Sequence, residues 1–289
     1  MISSLLQSSA SAPFAGAGEL AAVGSAFAWS FGSVFYALAF KSISPVQAAW
    51  FKNAIAGLLL GILSIAFFSG AVPLENVGWL TFSGFLGLGI GDWLYFLAIA
   101  HIGVSRTVII SQAVPAFTAL LAWPLFGETL SAMQIGGIAL VIGGGVLAES
   151  RRFTQKRSRN HFDRIGLIAA ITCAALWTIS NLALSKGMVG VTPVTGGAIR
   201  FGAGAFFFAA WFIKDGNLGS NVTFIFKAST WKLLAFPTFI GAALGMFLNV
   251  SAFKWTSPGI AASLCSTVPL FAIPLSAWLL HEKPGKRGW

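Results

Sequence analysis

The sequence predicts an all-α integral membrane protein made of two inverted repeats of transmembrane helices, five in the first and four in the second. Three observations carry that prediction. Of 289 residues, 56% are hydrophobic and 9% are charged, with a mean hydropathy of +0.82. Soluble domains need roughly 25% charged residues to cover their surface. Charges punctuate the chain at intervals of about 20 residues, the length a helix needs to cross a bilayer. Landmarks of the first half also recur, in order, in the second. The composition excludes a cytosolic globular enzyme, a disordered chain and a nucleic-acid binder. The pI near 10.1 has a membrane explanation, because basic residues collect in cytoplasmic loops. Cys173 and Cys265 both lie in apolar stretches, so no disulfide framework is implied.

The amino-terminal segment 1–18 has no Lys or Arg, so no basic leader region of a signal peptide is visible. Nine spans follow, near 19–40, 46–68, 77–99, 106–126, 131–148, 165–186, 193–213, 232–253 and 258–280. The first, fourth, fifth, sixth and eighth rest on charge-free runs, the ninth on a run ended by His281, and the second on the charge-free run 53–74. The third and seventh are apolar with one charge each. These runs are too long, and alternate too little, for barrel strands. The largest polar interruption, ESRRFTQKRSRNHFDR over Glu149–Arg164, divides the chain. The first repeat is 19–149, the basic linker 150–163 and the second repeat 164–289.

Trp29 precedes Pro45 by 16 residues, as Trp177 precedes Pro193, and Lys52 and Arg200 each follow their proline by seven. Gly91 precedes Pro115 by 24 residues, as Gly245 precedes Pro269, and Glu128 and Glu282 each follow their proline by 13. The offset between halves is 148 early and 154 late, so six extra residues sit in a polar loop over Lys214–Lys232. Five spans are an odd number. The second half therefore enters the membrane upside down, the inverted repeat of many secondary transporters, with substrate handled between the halves.

The ordered marks are a Trp inside the first span of each half and a basic residue early in the second. Ala98-Ile99-Ala100-His101-Ile102-Gly103 and Ala252-Phe253-Lys254-Trp255-Thr256-Ser257 then close the third spans, and Pro115…Glu128 and Pro269…Glu282 occupy and follow the fourth. This pattern resembles the EamA branch of the drug/metabolite transporter (DMT) superfamily over residues 19–289. The resemblance implies a ten-helix bundle that moves small organic metabolites, often outward. One departure stands at the end, where Glu282 is followed only by Lys-Pro-Gly-Lys-Arg-Gly-Trp. The expectation is a gene truncated before its tenth helix. That opens the alternative of a truncated, non-transporting membrane subunit. An integral-membrane enzyme on lipid-linked substrates is a third reading, but the clustered acids or histidines it needs are not seen.

Counting basic residues by side puts fifteen on the side of the 150–163 loop and three on the other. The positive-inside rule then predicts a multi-pass protein of the cell inner (plasma) membrane with that loop in the cytoplasm. The implied partners are the lipid bilayer and a small-molecule substrate, with protons as the candidate coupling ion and a homodimer as an allowed assembly. No nucleic acid, cofactor, metal or catalytic residue is implied.

Candidate substrate-binding or coupling residues are the polar and aromatic groups deep in the spans. Asp92 lies inside the third span, where a carboxylate is costly unless it faces water, a partner or the bundle interior. It is read as a proton carrier or amine ligand, or else as a protonated or helix-bonding acid. Gly84, Gly87, Gly89 and Gly91 around it permit close helix approach. Lys52 and Arg200 either snorkel to the interface or recognise an anionic group from opposite mouths of one cavity. Trp29 and Trp177 are core packing or a cavity wall for flat substrates. Tyr95, Gln112, Asn181 and Asn249 bond neighbouring helices or line the pathway. Pro115 and Pro269 are hinge candidates expected within their helices.

Overall fold

The computed structural model describes residues 12–67, 70–114, 117–118, 121, 135–136 and 161–281. Every regular element among them is helical. In the first half, α1 is Ala17–Ala39 and α2 is Pro45–Phe67. Helix α3, Leu74–Gly84, passes through a π-helical stretch, Phe85–Gly91, into α4, Asp92–Ile102, and α5 is Val104–Ser111. In the second half, α6 is His161–Gly187, α7 is Pro193–Lys214 and α8 is Leu218–Phe226. Helix α9, Ala228–Phe236, passes through a π-helical stretch, Pro237–Leu244, into α10, Gly245–Trp255. Helices α11 and α12 are Pro258–Cys265 and Val268–Leu279. Among the described residues, seven helical runs are long and apolar enough to cross a membrane. Most of the expected fifth span, part of the fourth, Pro115, Glu128, Glu282 and the linker up to residue 160 lie outside the described residues.

Several helix starts are written locally. Ser44-Pro45, Thr192-Pro193 and Ser257-Pro258 each place a hydroxyl before a proline. Ser44 Oγ accepts from Gln47 N at 3.3 Å, Thr192 Oγ1 from Thr195 N at 3.2 Å and Ser257 Oγ from Ile260 N at 3.5 Å. Proline at the first helical position lacks only an N–H that would have had no intrahelical partner. Gly103, with φ of 82°, makes the corner between α4 and α5 that a side chain would strain.

Two expectations are corrected, and one feature was not foreseen. Pro269 is not inside a continuous helix. The fourth span of the second half breaks at Ser266–Thr267, so Pro269 sits in the opening turn of α12, where its missing N–H costs little; the interior proline is Pro274. The polar loop Lys214–Lys232 holds a helix, α8. It forms because Phe224 and Ile225 have an apolar cluster to enter. Asn221 also anchors it, accepting from Gln47 Nε2 through Oδ1 and from Trp50 Nε1 through its carbonyl, both at 3.3 Å. The third span of each half is not uniformly α-helical but carries a π stretch at its middle.

The halves pack by exchange. Helix α1 lies on α10 and the second π stretch, α6 lies on α4 and the first, and α2 lies on α7. Glycines let these backbones meet. A Cβ on Gly241 would lie 2.5 Å from Gly32 Cα, while the equivalent contact sets Gly87 against Ser180 Oγ. A Cβ on Gly91 would lie 2.8 Å from Trp177 Cδ1, and one on Gly245 would lie 2.7 Å from Trp29 Cδ1. The first span of each half is thus seated on the third span of the other.

Two apolar clusters fill the bundle. One gathers Trp50, Phe51, Phe96, Phe208, Phe212 and Phe224; the other gathers Leu60, Leu80, Leu184, Val194, Met246 and Phe253. Outside, Ile65, Phe206 and Trp278 are 84%, 70% and 73% exposed. Such a surface suits hydrocarbon, not water.

Candidate functional site

A cavity of about 140 Å³ lies between the repeats, with walls from both halves. Water-sized sites need roughly 10–15 Å³ each, so this space holds several waters or a small organic molecule. Asp92, Lys52, Arg200, Trp29, Trp177, Tyr95, Gln112, Asn181 and Asn249 all line it. Eight of them come from six of the described helices and Gln112 caps the end of α5, and no two of the aromatic residues Trp29, Tyr95 and Trp177 share a helix.

Asp92 opens α4 directly after the first π stretch, and its carboxylate accepts from Lys52 Nζ in an ion pair. Both residues are buried, and the Lys52 ammonium also lies 5.8 Å from the Phe96 ring centre and 5.4 Å from that of Phe201. The stem of Lys52 does not snorkel outward. The pairing is what makes a carboxylate affordable at this depth, because each ion supplies what the other lost with its water.

The π stretch is held by side chains of its neighbours. Trp177 Nε1 donates to Gly87 O at 3.1 Å, and Asn53 Nδ2 donates to Leu88 O at 2.8 Å. Widened turns leave carbonyls in need of donors, and membrane depth offers them only from protein or cavity water. Trp177 therefore both lines the cavity and fixes the backbone that carries Asp92. Its ring also packs on Tyr95, with centroids 4.9 Å apart.

Arg200 has a different environment. It is buried, with Nη1 donating to Met246 Sδ and Nη2 to Ser180 Oγ, both at 3.2 Å, while Nε has no partner among the described residues. Gly84 meets its backbone directly, which sets α7 hard against α3. The repeat puts Lys52 and Arg200 at equivalent positions with unlike head groups; the structure gives one a carboxylate and the other a thioether.

Further polar contacts tie the walls together. Tyr95 OH and Ser33 Oγ are 3.0 Å apart, Asn249 Nδ2 donates to Cys265 Sγ at 3.5 Å, and Gln112 Nε2 donates to Val108 O at 2.9 Å. Gln112 Oε1 has no partner among the described residues. Sequence reasoning missed Tyr36 and Ser33. Tyr36 lines the cavity, and its hydroxyl lies 2.9 Å from Thr238 Oγ1. The available signal was scarcity: the chain has 2 Tyr, and both are here. Of the hinge candidates, Pro269 does not line the cavity and Pro115 lies outside the described residues.

Residues 16–149 and 164–289 match the EamA-like transporter family. No curated protein matches the sequence. Twenty-four solved chains match in fold. One of them, known only as "Crystal structure of protein", superposes with a TM-score of 0.67 at 18% identity, covering 94% of this chain and 92% of its own. At that identity the likeness concerns the fold alone. The family match spans both halves and most of the chain, and the helical bundle with its exchanged repeats fits it. On that ground the chain belongs to the EamA-like transporter family.

Proposed function

We propose that this protein is a secondary transporter that exports small organic metabolites by alternating access between its two repeats. The observation that carries this reading is the placement of all nine polar and aromatic candidates, drawn from both halves, around one cavity between them. Rocking of one repeat against the other exposes such a cavity to each side in turn. The two apolar clusters are suited to act as the seals. Asp92 is the coupling group, taking up and releasing a proton as Lys52 leaves and rejoins it. The basic loop faces the cytoplasm of a cell whose inner membrane holds the protein, as the fifteen-to-three distribution of Lys and Arg argues.

The test is flux in vesicles. Everted membrane vesicles carrying the full chain should accumulate substrate under an imposed proton gradient, and right-side-out vesicles should not. Asp92→Asn keeps the shape of the side chain and an oxygen for Lys52. It should insert normally and lose the dependence on the gradient. Flux in the variant with unchanged pH dependence would remove Asp92 from coupling. Absence of exchange for every solute in a broad metabolite screen would remove the transporter reading.

A further inference from the structure

We propose that Arg200 is the anchor for the carboxylate of a small organic monoanion with a flat apolar body. The inference rests on the transporter reading of the same cavity and names the class of its substrate.

The cavity wall, among the described residues, carries two cations and one anion. The anion is engaged, because Asp92 is paired with Lys52. Asp92 attracts Arg200 through space, but the hydrogen bonds of Arg200 go to a sulfur and a hydroxyl. A thioether is a weak acceptor, and a guanidinium presents five donors. Ser180 is itself engaged with the carbonyl of Ser83, to which its hydroxyl lies close. Arg200 is only 4% exposed, and among the described residues its guanidinium is paired with no carboxylate. A buried charge in that condition lacks the compensation that proteins normally provide. Nε, unpartnered among the described residues, and Nη2, held only by the Ser180 hydroxyl, are the side-on pair with which a guanidinium forks a carboxylate.

The rest of the wall says what the anion is attached to. Trp29, Trp177, Tyr95, Phe96 and Phe201 line the same space with aromatic side chains. The repeat supplies the contrast. The position equivalent to Asp92 is Met246, and it is Met246 that faces Arg200. One half closes its own charge, and the other leaves its charge for a ligand. A cationic amine finds no free acid here, since Asp92 is taken.

The experiment measures equilibrium binding of labelled phenylacetate to the full chain immobilised in detergent or nanodiscs, with phenylacetamide and phenethylamine as competitors. The acid should bind saturably, and the neutral amide and the amine should compete about tenfold more weakly or worse, the scale of one charge-assisted hydrogen bond. Met246→Asp gives Arg200 an internal carboxylate and should weaken phenylacetate binding by about tenfold or more, as should Arg200→Gln. If Arg200→Gln does not fold, the acid-against-amide comparison on the unaltered chain decides. Equal competition by the amide, full binding in Met246→Asp, or no saturable binding of phenylacetate, benzoate or indole-3-acetate overturns the proposal. Counterflow in proteoliposomes separates the two readings. Exchange of neutral solutes without carboxylates keeps the transporter and sinks the anion site; carboxylate binding without any exchange does the reverse.

Discussion

Lys52 and Arg200 occupy the same place in the two halves of the molecule, and the third span opposite each supplies the difference. Across from Lys52 stands Asp92; across from Arg200 stands Met246. The backbone frame is repeated closely enough that Trp29 sits on Gly245 as Trp177 sits on Gly91, and both third spans carry a π stretch at the same level. The electrostatics are not repeated. Backbone symmetry here is a property of packing, set by small residues that let helices touch. Charge is set by single side chains on that frame, so a one-residue divergence turns one copy of a site into a closed pair and the other into an open one.

The largest expected effect breaks the closed pair. Asp92→Leu leaves Lys52 buried beside apolar neighbours and should lower unfolding stability of the detergent-solubilised chain by about 3 kcal/mol. Lys52→Met in the same chain should recover most of that loss. If Asp92→Leu alone is as stable as the unaltered chain, Lys52 needs its acid no more than Arg200 does, and the contrast between halves disappears.

The next effect compares the glycine contacts. Gly241→Ala drives a methyl into the backbone at Gly32 and should cost about 2 kcal/mol. Gly87→Ala meets the side chain of Ser180 instead, so Ser180→Gly should relieve it. Equal, unrelieved losses at both positions would mean that the two crossings are alike after all. The smallest effect concerns the hydroxyl pairs. Ser33→Ala removes the partner of Tyr95 OH and should cost about 0.6 kcal/mol, the usual worth of an interhelical side-chain bond in a membrane protein. The same places in the second half hold Asn181 and Asn249. A loss several times larger would show that Ser33 and Tyr95 form part of a network that the second half lacks.

The seven described spans were legible because charge is rare in this chain, so that most charges mark a helix end and only a few, such as Lys52, Asp92 and Arg200, fall inside one. The candidate site was legible for the same reason: Asp92, Asn249 or Gln112 stands out against an apolar background, and polar groups in spans turn inward. What sequence could not supply was pairing. Asp92 had two candidate cations, and only the packing of α2 against α4 assigns Lys52. Tyr36 and Thr238 are 202 residues apart, and nothing local joins them. The π stretches were hidden as well. The glycines of FLGLGIG announce close approach, and Trp177 and Asn53 decide which carbonyls can be left for them. Helix α8 was read as loop because its apolar residues are few, and it folds because a cluster is already there to receive them.

The touching glycines also bear on how this lineage can change. Every non-synonymous sense change from a glycine codon introduces a side chain, so position 241 has no mild missense neighbour. Its counterpart at Gly32 is already the smallest residue, which leaves no second-site reversion within the contact. At Gly87 the opposing residue is Ser180, and trimming it restores room. One crossing can therefore drift through paired substitutions while the other is held by purifying selection. Of the two seams between the repeats, the one at Gly32 and Gly241 should diverge more slowly.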